Sequence, residues 1–193
     1  MTGFDGFDWA NSSAEAQLEM ARRADAEQLR QLARSYDWRM FPDVVLGWVM
    51  AQKAIDLGSA LNAFLMGEPE RFNYLRKREV PQKYQGTVRV LDNICLRVNS
   101  GFYLSLPGSE IKHEKRLQNW LRYQQEDRSE HVRGRWILDE RILRTLSDDT
   151  LKLDPNAAAA PRQAQNSLWR DMLEPVTELG VSREYLKYLP EGH

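Results

Sequence analysis

Residues 37–64, DWRMFPDVVLGWVMAQKAIDLGSALNAF, form the stretch of the chain that decides the fold. They hold two tryptophans and a run of aliphatic side chains, whereas the flanking segments are rich in arginine and glutamate. Pro42 suits the first turn of one helix, and Asp56 is placed to cap a second helix that ends at Gly67. The stretch therefore predicts two helices that organise the core, and it contains no catalytic motif.

Helical spacing of apolar residues continues on both sides of this core. Ser12 with Glu15 predicts a capping box that opens a helix reaching Arg23, and Asp25 with Gln28 predicts a second capped helix. Later helices are expected in three places: from Pro69 to Leu75, from Ser109 onward, and over a charged stretch at 132–146.

Residues 84–106 are rich in β-branched side chains and would also suit strands. Val88, Leu91 and Ile94, however, lie three residues apart, and the Asn-Ser-Gly sequence that starts at Asn99 is typical of a helix end. We expect a helix to about Asn99, followed by a short extended piece. The fold class is mainly α: a compact multi-helix bundle with at most a short extended segment near 102–106.

Composition changes along the chain indicate four parts. Residues 1–11 alternate aromatic side chains with glycine and aspartate, and are expected to form a loose N-terminal arm. Residues 12–146 form the helical domain. The Asp-, Pro- and Ala-rich segment 147–161 is expected to be a linker. Residues 162–193 are expected to be a helical extension that packs on the main domain or on a partner.

The overall composition excludes several classes of protein. The 193 residues include 27 basic and 28 acidic side chains, so no net field steers the chain toward nucleic acid or lipid. Cys95 is the single cysteine, which excludes an intrachain disulfide and a thiolate zinc cluster. No secretory signal and no apolar run of membrane-spanning length is present. We expect a cytoplasmic protein without a membrane segment.

Few residues suggest catalysis. Glu110 and His113 form one Glu-x-x-His pair, whereas di-iron bundles use two such pairs with two further glutamates. Asp127 and His131, four residues apart, could supply only a degenerate second pair. Cys95 falls on the apolar stripe of its predicted helix and is expected to be a buried small hydrophobe. No serine-nucleophile elbow and no glycine-rich phosphate loop occurs, so we expect no catalytic residue, no metal and no cofactor.

One segment has a local charge bias. Residues 71–89, RFNYLRKREVPQKYQGTVR, contain six basic residues and one acidic residue, with three aromatic rings between them. Such a segment can contact a phosphate backbone and stack on bases, can meet an acidic protein partner, or can form a solvated helix end. Its candidate binding residues are Arg71, Arg76, Lys77, Arg78, Lys83 and Arg89.

Two short motifs carry a family resemblance. The tripeptide YDW at 36–38 is followed by DLGSAL at 56–61 and then by Phe64. This order resembles a small bacterial family, known only as a domain of unknown function, over residues 29–104. The resemblance implies a compact helical module in a bacterial cytoplasm and no established activity. Trp38 is expected to lie over the second helix, with its indole N–H directed at a carbonyl or at the neighbouring aspartate.

Three hypotheses of function follow from these patterns. The leading one is a non-enzymatic cytoplasmic protein that binds another protein, as an immunity or antitoxin protein does. The first alternative is a nucleic-acid-binding module that uses the basic segment 71–89. The second is a metal-dependent enzyme centred on Glu110 and His113.

Overall fold

Seven α-helices carry the fold of residues 3–106 and 111–146, which are the residues that the computed structural model describes. Short 3₁₀ turns join several of them, and the predicted mainly helical class is confirmed. None of these helices is long and apolar enough to cross a bilayer. The helices are α1 (Ala14–Arg23), α2 (Ala26–Ser35), α3 (Gly47–Val49), α4 (Leu57–Met66), α5 (Gln85–Asn99), α6 (Glu114–Ser129) and α7 (Glu140–Leu143).

Helix α4 is the centre of the core. Every residue from 57 to 65 is buried, and the helix contacts α2, α5 and α6. A helix that is apolar on all sides requires neighbours on all sides. Phe64 meets the rings of Trp120 and Trp136 edge to face, at centroid distances of 5.3 and 6.1 Å. The second half of the predicted core stretch thus organises the bundle.

The helix starts follow local capping chemistry. Asp25 and Gln28 form the predicted reciprocal capping box of α2, and Asp56 accepts a hydrogen bond from Ser59 N at 3.0 Å at the start of α4. The expected cap of α1 was misplaced by one residue. Ser13 Oγ accepts from the backbone at 3.3 Å, because the Ser12 hydroxyl donates instead to a carbonyl of the N-terminal arm.

Residues 84–106, whose composition also suits strands, form a helix as far as Asn99. α5 spans the predicted residues and buries Val88, Leu91 and Ile94 against the core. The short extended piece after it is also confirmed: Leu104 forms an isolated parallel bridge with Asp56 and accepts a backbone hydrogen bond at 2.9 Å. The three-residue spacing therefore outweighed the β-branched composition.

The predicted helix over 132–146 is wrong for its first half, since α7 covers only four residues. Trp136 N donates to Asn73 Oδ1 at 3.1 Å, and Leu138 N donates to Gln124 Oε1 at 2.7 Å. Because side chains from distant segments take these N–H groups, they are not free to bond the carbonyls of a helix.

Two proline-initiated helices are also shorter than predicted. Pro42–Leu46 forms a single π-helical turn that leads into α3, and Pro69–Arg71 forms only a 3₁₀ turn. Beyond the latter turn, the carbonyl of Asn73 accepts the N–H of Arg135 at 2.7 Å, which joins this segment to the residues that follow α6.

Trp38 lies at the end of α4, as expected, but without the expected polar contact. Its six-membered ring fills the space beside Gly67, and the buried indole N–H has no hydrogen-bond partner among the described residues. The long helix predicted from Ser109 begins at Glu114, and Ser109 lies outside the described residues. The expected linker 147–161 and extension 162–193 lie outside them as well.

Candidate interaction surface

Five of the six candidate basic residues lie on the connection between α4 and α5, and Arg89 lies in α5 itself. This connection is built from three 3₁₀ turns, Pro69–Arg71, Lys77–Glu79 and Gln82–Tyr84, and the last turn runs directly into α5. We call the group the basic surface; it comprises Arg71, Arg76, Lys77, Arg78, Lys83 and Arg89.

Five of these side chains are exposed, and Arg71 is half-buried. Arg71 is bound to Glu68 by an ion pair of 2.7 Å, and Arg76 lies 3.9 Å from Glu79. The other four basic side chains form no ion pair with the residues that the structure describes. A group of cations without internal counter-charges is available to a partner.

The aromatic rings of the segment are engaged within the protein. Phe72 is buried, and its ring packs against that of Tyr84 at 5.3 Å. The Tyr84 ring in turn carries two cations, with the Arg71 guanidinium at 5.2 Å and the Lys83 ammonium at 5.0 Å. Tyr74 donates its hydroxyl proton to the buried carboxylate of Asp127. These rings contact the protein's own side chains and are therefore not available for bases to stack on.

Besides Glu79, which lies near Arg76, a second carboxylate borders the basic surface. Asp43 lies against the first turn of α5, so that a Cβ on Gly86 would come within 3.0 Å of its carboxyl carbon. A negative charge at this end of a helix is favoured by the helix dipole. Asp43 is exposed and therefore lowers the positive charge of this edge.

The structure describes only part of the hypothetical metal site at Glu110 and His113. His113 precedes the first residue of α6, and Glu110 lies outside the described residues. No group of three metal-ligating side chains occurs in residues 3–106 and 111–146. The degenerate pair is not on one helix face either, because α6 ends at Ser129 and His131 follows it with a φ of 54°. Asp127 instead binds a tyrosine in the core.

Cys95 is buried, as its position on the apolar stripe predicted. Burial raises the pKa of its thiol to about 11, and its Sγ lies 3.6 Å from the carbonyl oxygen of Ile137. A thiol with so high a pKa is a poor nucleophile at neutral pH. The side chain therefore acts as a small core residue.

A buried polar contact went unpredicted. Glu70 and Arg116, both at least nine-tenths buried, lie 3.4 Å apart, and Arg116 Nε has no hydrogen-bond partner. Burial raises the pKa of the Glu70 carboxyl, although the nearby guanidinium opposes this shift. The sequence did hold one sign of this contact: Glu70 and Tyr74 are four residues apart, and both contact α6 in the structure. This buried contact joins the Pro69–Arg71 turn to α6.

The chain was compared with protein-family models, with curated proteins and with solved structures, and none of the three contains a match. The family resemblance of residues 29–104 stays a prediction. The motif residues have clear structural roles: Asp56 caps α4, and the small residues Gly58, Ser59 and Ala60 are buried where α4 contacts its neighbours.

Proposed function

We propose that the protein acts by binding another protein, whose acidic side chains meet the basic surface. The observation that carries this proposal is the set of four exposed cations, Lys77, Arg78, Lys83 and Arg89, that have no ion pair in the described chain. Cationic side chains at an interface mainly accelerate and orient association with a partner of opposite charge. Binding of a toxin by an immunity or antitoxin protein is one form of this function.

The engaged aromatic rings favour a protein partner over a nucleic acid. Proteins that bind single strands combine a basic groove with rings on which bases stack. In this protein the ring of Phe72 is buried, and that of Tyr84 is covered by two side chains of the basic surface itself. The carboxylates of Asp43 and Glu79 at the same surface would also repel phosphates. An acidic protein surface can arrange its charges around them.

A matched pair of charge reversals tests the proposal. The variant Arg76→Glu/Arg78→Glu changes the basic surface, and Arg22→Glu/Arg144→Glu reverses two exposed arginines that are outside the segment 71–89. Each immobilised variant is incubated with nuclease-treated extract of the native host. We expect the same acidic protein on the wild type and on the control variant, and none on the first variant. The proposal fails if all three capture the same proteins.

The nucleic-acid alternative has its own measurement. Binding of a labelled single strand and of a duplex is followed by fluorescence anisotropy at about 50 and about 200 mM salt. Contacts to several phosphates would weaken binding by roughly 10³-fold or more over this range. Tight binding that shows this dependence, and that Arg76→Glu/Arg78→Glu abolishes, would replace the protein partner with nucleic acid.

A further inference from the structure

The chain also carries a surface of the opposite sign. Its first 21 residues include four acidic side chains and no lysine, arginine or histidine. All four acidic residues are exposed. We call this group the acidic surface; it comprises Asp5, Asp8, Glu15 and Glu19.

The acidic surface is held on a defined scaffold. The side-chain amide of Gln17, in α1, donates to the carbonyls of Trp9 and Ser12, which fixes the N-terminal segment on the helix. The ring of Trp9 meets those of Phe4 and Phe7 edge to face, at 5.4 and 4.8 Å. These contacts fix the segment that carries Asp5 and Asp8 to the helix that carries Glu15 and Glu19.

Hydrogen bonds favour the ionised form of two carboxylates of this surface, those of Asp8 and Glu15. A hydrogen bond from the Asn11 side chain lowers the pKa of Asp8 below its ordinary value. Hydrogen bonding to its own backbone N–H, in the first turn of α1, lowers the pKa of Glu15 in the same way. Glu19 lies one turn further along, so that the charges of Glu15 and Glu19 project from neighbouring positions of one helix face.

Most charges of the two surfaces have no ion-pair partner among residues 3–106 and 111–146. Within the described part of the chain, Glu19 is the only one of the four acidic residues that has an ion pair, with Arg23 at 2.9 Å, and both of these side chains are more than half exposed. No ion pair of residues 3–106 and 111–146 joins the acidic surface to the basic surface. The two surfaces therefore have opposite sign, and each keeps charges that are unpaired in the part of the chain that the structure describes.

We infer that a second copy of this chain is a partner of the basic surface, and that it binds through its acidic surface. This inference rests on the proposed function and specifies its acidic partner. The contact is heterologous, because different patches of the two copies meet. Each copy in a pair therefore keeps one surface free, and further copies can add unless the assembly closes into a ring.

Sedimentation of the full chain over a range of concentrations tests the inference. We expect the weight-average mass to rise with concentration at about 0.1 M salt. The association constant should fall at least about tenfold at about 1 M salt, since the screening length drops from about 10 to about 3 Å. A chain that remains monomeric at every concentration in low salt would overturn the inference.

Complementary charge reversals identify the surfaces. Arg76→Glu/Arg78→Glu reverses two charges of the basic surface, and Glu15→Lys/Glu19→Lys reverses two charges of the acidic surface. Each variant alone is expected to be monomeric at the concentrations where the wild type associates. A mixture in which the first variant supplies the intact acidic surface and the second the intact basic surface should form one-to-one pairs and nothing larger. Self-association of either variant at wild-type strength would refute the assignment.

Two controls separate the possible failures. The neutral variants Arg76→Gln/Arg78→Gln and Glu15→Gln/Glu19→Gln should each weaken association without new repulsion, and unchanged thermal unfolding shows that they are folded. A monomeric wild type that still captures another acidic protein through the basic surface would overturn the second-copy inference alone. A monomeric wild type that captures no protein in this way would overturn the proposed function as well.

Discussion

Replacing Asp56 by alanine should destabilise the protein more than the loss of an ordinary helix cap does. The carboxylate of Asp56 is 1% exposed and accepts hydrogen bonds from Ser59 N at 3.0 Å and from Ser59 Oγ at 2.6 Å. Arg30 and Arg34, which reach across from α2, each place a guanidinium nitrogen 3.6 Å from it. One side chain therefore starts the central helix and also joins it to its neighbour.

The magnitude follows from these two roles. Loss of an N-cap costs about 1 kcal/mol. Removal of one partner from a fully buried ion pair costs about 3–5 kcal/mol. Here Arg30 and Arg34 keep 23% and 25% of their side-chain surface exposed and retain contacts with Glu27, so this contribution is reduced to about 1–2 kcal/mol. We expect Asp56→Ala to lose about 2–3 kcal/mol in the free energy of unfolding.

Equilibrium unfolding in urea measures this loss, with Asp25→Ala as the matched control. Asp25 also caps a helix through its carboxylate, but it is exposed and pairs with no arginine. The control should lose about 1 kcal/mol, and both variants should keep the m-value of the wild type. Asp56→Asn retains an acceptor for the backbone N–H, and we expect its loss to fall between the two.

Equal losses for Asp56→Ala and Asp25→Ala would refute the reasoning. A double-mutant cycle between Asp56→Ala and Arg34→Met provides an independent check. A coupling free energy below about 0.5 kcal/mol would mean that the two residues act independently and that Asp56 is only a cap.

Three further perturbations have defined outcomes. Gly67→Ala should lower the free energy of unfolding by about 1–3 kcal/mol, because the new Cβ would lie 2.8 Å from the Trp38 ring. Gly3→Ala is the control, because a Cβ at Gly3 contacts no other atom. In thermal unfolding we expect this control to be as stable as the wild type. At pH 8, Cys95 should react with a thiol reagent at least about 100-fold more slowly in the folded protein than in the urea-unfolded protein. The reason is that burial raises the pKa of its thiol to about 11. Similar rates in the two states would show that the thiol is accessible. The pKa of Glu70 is raised by burial, so the folded state holds this proton more tightly, and the stability of the wild type relative to Glu70→Gln should fall as pH rises above 4.5; a difference independent of pH would contradict this.

The fold was largely readable from local patterns. The capping box of α2, the cap and stop of α4 and the apolar spacing of α5 each predicted a helix within a few residues of its observed bounds. The predictions failed where a distant side chain replaced a local hydrogen bond. Gln124 shows the reason: its amide bonds both the N–H and the carbonyl of Leu138, which lies fourteen residues away, and holds that segment out of a helix.

The basic surface was only partly readable from sequence. Charge counting identified its residues, because their number does not depend on the fold. It could not show that Tyr84 supports two of the cations, or that Arg71 is already paired with Glu68 while Lys77 and Arg78 are free of ion pairs in the described chain. Those facts require the distances between side chains that the chain brings together only when it folds.

The sequence by itself determined the helical class, the central position of residues 57–66 and the two charged segments of opposite sign. These properties depend on residue spacing, on capping groups and on counts of charge, which are local. The tertiary structure decided which charges are neutralised, which aromatic rings are covered and where residues 132–138 lie. Each of these depends on contacts between segments far apart in the chain, and a local pattern does not contain them.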